Sequence, residues 1–131
     1  MDPSSGRGSK SMLAISPNTR CFVCIEPQDF RKGIDGMSAV VRQKVLHDPM
    51  SGAVYLFRSQ NRRSIKVLFY GGLGYWLCQL RLSSGRLKWW PKQGEDPHSL
   101  ICALGAREVL VMLANGDPMS AQFDPEWKKL T

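Results

Sequence analysis

Apolar positions along the chain alternate between a spacing of three or four and a spacing of two, and this change separates helices from strands. Apolar residues at Phe30, Ile34, Met37, Val41 and Val45 share one side of a helix, which predicts a helix over residues 29–46. Short β-branched and aromatic runs predict strands over residues 20–26, 54–58, 64–70, 75–82, 86–90 and 99–104. Helical spacing returns over residues 106–114, where Asn115-Gly116 supplies a left-handed cap.

Turn residues connect these elements in a simple order. The sequence Asp-Pro-Met-Ser-Gly at 48–52 reverses the chain, and the Gly-rich segment 71–74 and Ser-Ser-Gly at 83–85 separate later strands. Four consecutive strands joined by short loops indicate an antiparallel meander. The sequence therefore predicts an α+β domain with a mainly antiparallel sheet, in the order strand, helix, four-strand meander, short strand and helix. We expect the helices to cover one face of the sheet and to leave the other open.

Two local expectations follow from the pattern. Alternation within residues 75–82 predicts that Trp76, Cys78, Leu80 and Leu82 face the core. Asp29 stands where an N-cap carboxylate would accept a hydrogen bond from the first free amides of the helix.

The length of the chain sets the number of cores. With 131 residues and 43% apolar content, one hydrophobic core is expected, and residues 15–131 are predicted to form a single domain. Residues 1–14 are rich in Ser and Gly and are predicted to be a disordered or expression-derived tail. The sequence shows no secretion signal and no membrane-length apolar run, which predicts a cytoplasmic location without membrane contact and with reduced cysteines.

Positive charge is concentrated in the middle of the chain. Residues 49–94 contain eight Lys or Arg and no Asp or Glu, whereas the whole chain has a net charge of +7. The same stretch holds Tyr70, Tyr75, Trp76, Trp89 and Trp90, and cations interleaved with aromatic rings favour nucleic-acid binding. An ordinary solvated sheet with its aromatics in the core is the alternative.

The predicted nucleic-acid contacts combine seven of these eight central cations with two at the start of the first helix, where free amides favour phosphate. The candidates are Arg31, Lys32, Arg58, Arg62, Arg63, Lys66, Arg81, Arg86 and Lys88. If the strand faces align, a basic and aromatic strip should cross the open side of the sheet.

Other chemistry receives little support from the residues. Cys21 and Cys24 form a single CxxC, and residues three apart in a strand point to opposite faces, which opposes joint metal binding. The chain has no phosphate-binding Gly-rich motif, no nucleophile elbow and no zinc-protease motif. We therefore expect no catalytic residues, no metal and no cofactor. A hidden nuclease would require Asp29, Asp35 and Asp48 to converge around metal ions.

Several ordered motifs resemble the TnpB accessory proteins of the insertion sequence 66 family of bacterial transposons. They are Asp-Phe-Arg-Lys-Gly-Ile-Asp-Gly-Met at 29–37, Asp-Pro-Met-Ser-Gly at 48–52, Lys-Val-Leu at 66–68, Arg-Leu at 81–82, Gly-Arg at 85–86 and Trp89. The resemblance spans about residues 15–90. Family acids after the Lys-Val-Leu strand are replaced here by Gly71 and Leu73, and Ser83 replaces a family Glu, which makes the segment more positive.

The resemblance implies a small non-catalytic protein that is encoded beside a transposase and assists transposition. Its partners would be DNA, the transposase and other transposon-encoded proteins. Together with the charge pattern, this predicts an accessory protein that grips nucleic acid through a basic sheet surface. The alternative is an adaptor that docks on the transposase without touching nucleic acid.

Overall fold

A five-stranded sheet with one helix on each face builds the protein in the computed structural model, which describes residues 15–119. The strands are β1 (Cys21–Cys24), β2 (Val54–Arg58), β3 (Ser64–Gly71), β4 (Gly74–Arg81) and β5 (Ile101–Leu104). Helix α1 (Ile34–Val40) continues into a π-helical turn (Val41–Val45), and helix α2 (Ala106–Leu113) follows β5. The α+β class predicted from the sequence is confirmed.

Strand order in the sheet is β4-β3-β2-β1-β5. The β2, β3 and β4 strands form the predicted meander, with Leu56 opposite Val67 and Val67 opposite Cys78. The β1 and β2 strands are parallel and are joined through α1, while β5 pairs antiparallel with the free side of β1. The carboxyl ends of β1, β2 and β4 and the amino end of β3 therefore lie at the same end of the sheet.

Both faces of the sheet are covered, which differs from the expectation of one open face. The central strand β2 is apolar at consecutive positions, so its side chains enter two separate cores. Val54 and Leu56 pack with Val109 of α2 on one face, which we call the α2 face. Tyr55 and Phe57 pack on the other, the α1 face, in the same cluster as Met37, Val40 and Val41.

Helix α1 begins later than predicted, and the assignment of Asp29 as its N-cap is wrong. Its N-cap position is Gly33, in extended backbone geometry and without a side-chain cap. A helix starting at residue 29 would use the Phe30 and Lys32 carbonyls for its own hydrogen bonds. Both instead accept hydrogen bonds at 2.9 Å from the Lys66 ammonium. Phe30 still packs against the α1-face core from this irregular segment.

The predicted fourth meander strand, residues 86–90, is wrong. This segment is irregular because its backbone groups bind loops and side chains instead of a neighbouring strand. The Asn115 side chain accepts from the Lys88 amide at 2.9 Å and donates to the Arg86 carbonyl at 3.4 Å. Buried Trp90 inserts into the α2-face core, and its indole Nε1 donates to the Cys24 carbonyl at 2.9 Å.

The remaining strand predictions and the second helix are confirmed to within a few residues. Asn115 has the expected left-handed geometry, with φ of 61°. Trp76 and Leu80 share the α2 face with Cys78 but are 44% and 36% exposed, because β4 is an outer strand. The predicted tail, residues 1–14, and the part of the predicted domain beyond Met119 lie outside the described residues.

Candidate nucleic-acid interface

Six of the nine predicted cations lie at one end of the sheet. Arg58 ends β2, Arg62 and Arg63 lie in the β2–β3 turn, Arg81 ends β4, and Arg86 and Lys88 follow in the next loop. We call these six side chains the basic end. Residues far apart in the sequence meet here because the meander returns to the same end of the sheet after every second strand.

Backbone hydrogen bonds hold the three segments of the basic end together. The Leu87 amide donates to the Arg62 carbonyl at 2.7 Å, and the Leu82 amide donates to the Arg63 carbonyl at 2.9 Å. In addition, Arg81 lies opposite Ser64 in the β3–β4 ladder. The cations are thus anchored on ordered backbone, although five of the six residues are exposed.

The charges of the basic end are not neutralised by neighbouring acids. Within residues 15–119, the structure pairs none of the six with a carboxylate; their side-chain bonds go to the carbonyls of Ser59 and Leu87. Burial lowers the pKa of the Arg58 guanidinium below its ordinary value, and the nearby positive charge of Arg62 lowers it further. Positive charges that lie close together without a carboxylate partner favour the binding of an anion.

Arg31 and Lys32 lie beside the basic end but are already engaged. Gln28 forms an isolated β-bridge with Ser59, which brings the segment before α1 against the β2–β3 turn. Arg31 makes a bidentate ion pair with Asp29, at 2.6 Å for its shortest contact, and Lys32 Nζ donates to Gln28 Oε1 at 3.0 Å. Hydrogen bonding by Arg31 lowers the pKa of Asp29 to about 2. The Arg31 side chain remains 91% exposed.

Lys66 has surroundings unlike those of the other eight cations. The residue is 8% exposed and its Nζ lies 5.0 Å from the centroid of the Phe30 ring. Because the same ammonium donates to the Phe30 and Lys32 carbonyls, it is positioned to hold the segment before α1. These contacts favour a structural role over phosphate binding.

The aromatic residues of this stretch are either packed against the core or distant from the cations. Trp90 is buried and Trp89 is half-buried against the α2-face core. Tyr70, Tyr75 and Trp76 lie at the opposite end of β3 and β4, about 17 to 20 Å from the level of Ser64 at about 3.3 Å per residue. The predicted basic and aromatic strip across an open sheet face is therefore wrong, because both faces are covered and the two residue types separate along the strands.

A polar cleft beside the basic end was missed from the sequence. It has a volume of about 430 Å³ and lies between residues 27–30 and residues 59–61. Gln60 and Asn61 expose amide groups at its rim, next to the exposed Arg62 and Arg63. The run Ser-Gln-Asn before two arginines was the available signal, since amide side chains commonly bind phosphate oxygens.

Comparison with known proteins identifies the family of the chain. A family model described as "IS66 Orf2 like protein" matches residues 19–121. The chain belongs to this family. The family is the one that the sequence motifs predicted.

Two curated relatives from Sinorhizobium fredii align with this IS66 Orf2-like chain. The uncharacterized protein y4jC is 32% identical over 75 residues, which cover 57% of the chain and 64% of y4jC. The uncharacterized protein y4hO is 28% identical over 83 residues, which cover 63% of the chain and 72% of y4hO. No solved structure matches.

The described part of this IS66 Orf2-like chain contains neither a cluster of metal ligands nor a reactive thiol at the CxxC pair. Across residues 15–119, no three His, Cys, Asp or Glu side chains group as a metal ion would require. Cys21 lies in the α2-face core and Cys24 in the α1-face core, so the CxxC pair points to opposite faces as predicted. Burial raises the pKa of the Cys24 thiol to about 12, which suppresses the reactive thiolate. No helix within the same residues has the length and apolar content of a membrane span.

Proposed function

We propose that this IS66 Orf2-like protein is a non-catalytic accessory factor of transposition that holds DNA through its basic end. The observation that carries the proposal is the gathering of six cations at one end of the sheet without a carboxylate partner among residues 15–119. Arg and Lys side chains presented together can neutralise neighbouring phosphates and release their counterions. The proposed partners are DNA, the transposase and other proteins encoded by the same transposon.

The proposed contacts are with the phosphate backbone, not with unstacked bases. Single-strand binders need aromatic platforms beside their cations, and here the exposed Trp76 lies at the far end of the sheet. Arg62, Arg63 and Arg81 instead offer forked donors that suit phosphate oxygens. Double-stranded DNA of any sequence is therefore the expected ligand.

Salt dependence tests this proposal directly. We expect the logarithm of the association constant for a duplex to fall with the logarithm of salt concentration with a slope of about −5, because each of about five phosphate contacts contributes about 0.9. Fluorescence anisotropy over a salt series with duplex and single-stranded oligonucleotides of equal length measures the slope. Absence of binding at low salt, or an affinity that salt does not change, would refute the proposal.

Docking on the transposase is the second candidate function, and one exposed residue favours it. Leu73 forms the tip of the β3–β4 turn with its side chain fully in solvent. It borders an open cavity of about 690 Å³ lined by Phe69 and Trp76. Apolar side chains concentrated in one exposed place mark protein contacts more often than isolated ones do.

A pull-down with the transposase distinguishes the two functions. If the adaptor function holds, the substitution Leu73→Ser should reduce retention of the transposase several-fold and leave DNA affinity unchanged. Leu110→Ser is the matched control, because Leu110 is 54% exposed on α2 and lines no part of that cavity. Equal retention of the two variants would exclude the turn as the docking site.

A further inference from the structure

The outer strand β4 has the properties of a surface that pairs with another strand. It spans eight residues at the edge of the sheet, whereas the opposite edge strand, β5, has four. Proteins usually protect long edges with charged residues, Pro or bulges. In β4 the only charged residue is Arg81, at its last position.

Among residues 15–119, no strand other than β3 pairs with β4, so the outer side of its backbone presents a regular set of hydrogen-bonding groups. A two-residue turn, Gly72-Leu73, connects it to β3, and Gly72 has φ of 64°, as the first position of a type II′ turn requires. The pair that flanks such a turn, Gly71 and Gly74, exchanges both hydrogen bonds. Alternation then directs the amides and carbonyls of Tyr75, Leu77, Gln79 and Arg81 away from the sheet.

Side chains on the α2 face of β4 add an exposed apolar surface. Trp76 is 44% exposed and Leu80 is 36% exposed, with the half-exposed Cys78 midway between them. A large indole and a leucine left in solvent on one face of an edge strand would gain from burial, at about 25 cal/mol per Å² of apolar surface.

We propose that β4 pairs antiparallel with β4 of a second copy of this chain, about a two-fold axis at Cys78. In this register the outward backbone groups of Tyr75 meet those of Arg81, and Leu77 meets Gln79. At each of these four positions the amide and carbonyl point away from β3, as antiparallel pairing with a new strand requires. The pairing therefore uses every outward-facing hydrogen-bonding position of β4. The two sheets then form one continuous ten-stranded sheet.

The charge and apolar pattern of β4 explains why a second copy is the occupant. Trp76 of one copy lies opposite Leu80 of the other, so the two exposed apolar side chains cover each other on both sides of the axis. The two Arg81 side chains are separated by about 20 Å along the strand direction, beyond strong repulsion. The strand is thus complementary to itself. The proposal is independent of DNA binding.

Lysines at the two apolar positions test the pairing. Sedimentation of the full chain should show a dimer, and the double variant W76K/L80K should raise its dissociation constant by at least about tenfold, since charges on an edge oppose strand addition. The control is L110K, which introduces a lysine at an exposed leucine on α2 and should remain dimeric. A monomeric wild-type chain, or a W76K/L80K dimer as tight as the L110K dimer, would overturn the proposal.

The register has its own test through Cys78. In the proposed pairing the two Cys78 residues form a non-hydrogen-bonded pair with Cα atoms about 4.5 Å apart, within the range that a disulfide spans. Mild oxidation should therefore give a covalent dimer that Cys78→Ser abolishes and Cys102→Ser retains, since Cys102 lies on β5 at the opposite edge. A dimer that oxidation does not link through Cys78 would refute this register.

Discussion

Neutralising four exposed cations of the basic end is expected to weaken duplex binding by about two to three orders of magnitude near 0.1 M salt. The replacements are Arg63→Gln, Arg81→Gln, Arg86→Gln and Lys88→Gln. Each lost phosphate contact forfeits the counterion release that drives association, and the salt slope should become shallower by about 3 to 4. All four residues are exposed, so the fold should be retained.

A matched pair of double variants separates this local effect from a change in net charge. R63Q/R81Q and R20Q/R42Q each remove two charges from exposed positions, but Arg20 and Arg42 lie outside the basic end. Anisotropy titrations should show a loss of affinity at least about tenfold larger for R63Q/R81Q. Equal losses would mean that the whole surface attracts DNA and that the basic end has no special part.

The substitution Lys66→Met is expected to lower the free energy of unfolding by about 2–4 kcal/mol. Two hydrogen bonds from a charged donor would be lost, each contributing about 1.5–3 kcal/mol, while relief from burying the ammonium offsets part of the loss. The Phe30 and Lys32 carbonyls would also lose this partner. Urea unfolding followed by circular dichroism measures the change.

The control for this prediction is Lys88→Met, because that lysine is exposed and the Asn115 side chain binds only its backbone amide. Its stability should change by no more than about 0.5 kcal/mol. Folded Lys66→Met protein should bind DNA nearly as well as the wild type, while Lys88→Met should bind less tightly. A stable Lys66→Met variant with weakened DNA binding would instead assign Lys66 to the DNA interface.

Local periodicity was sufficient to predict most elements of the fold. The runs 54–58, 64–70 and 75–82 are predominantly apolar and are bounded by turn residues, and each is a strand. The pattern of residues 86–90 also alternates, yet the segment is not a strand, because Asn115 binds its backbone from a distant turn. Such a long-range hydrogen bond leaves no mark in local sequence.

The residue at which α1 begins is also set by a contact between residues distant in the sequence. The spacing of Phe30 with Ile34 suggested a single helix, but Lys66 binds two carbonyls that such a helix would have used. The pair Gly33 and Gly36 was the available signal for a later start. A Cβ atom at Gly36 would lie 2.9 Å from Cβ of Lys32, so the first turn of the helix is closely packed.

The sequence predicted which cations belong to the candidate site, but not how the cations and the aromatic residues are arranged in space. Charge alone located the cationic segment, and the meander brought Arg62, Arg63 and Arg81 together. Tyr70 and Tyr75 separated from them because alternating strand direction places neighbours in sequence at opposite ends of a sheet. Which side chains form one surface depends on their position along each strand, and amino-acid composition carries no information about that position.

The pairing of β5 with β1 constrains how the protein is made. Cys21 lies opposite Leu104, so β1, the first strand of residues 15–119, is covered on its free side only after β5, the last of those strands, has been synthesised. The β2–β3–β4 hairpins can form earlier because their contacts are local. A frameshift upstream of Ile101 would therefore release a polypeptide that lacks the closing strand and exposes β1, a substrate for proteases and not a smaller working protein.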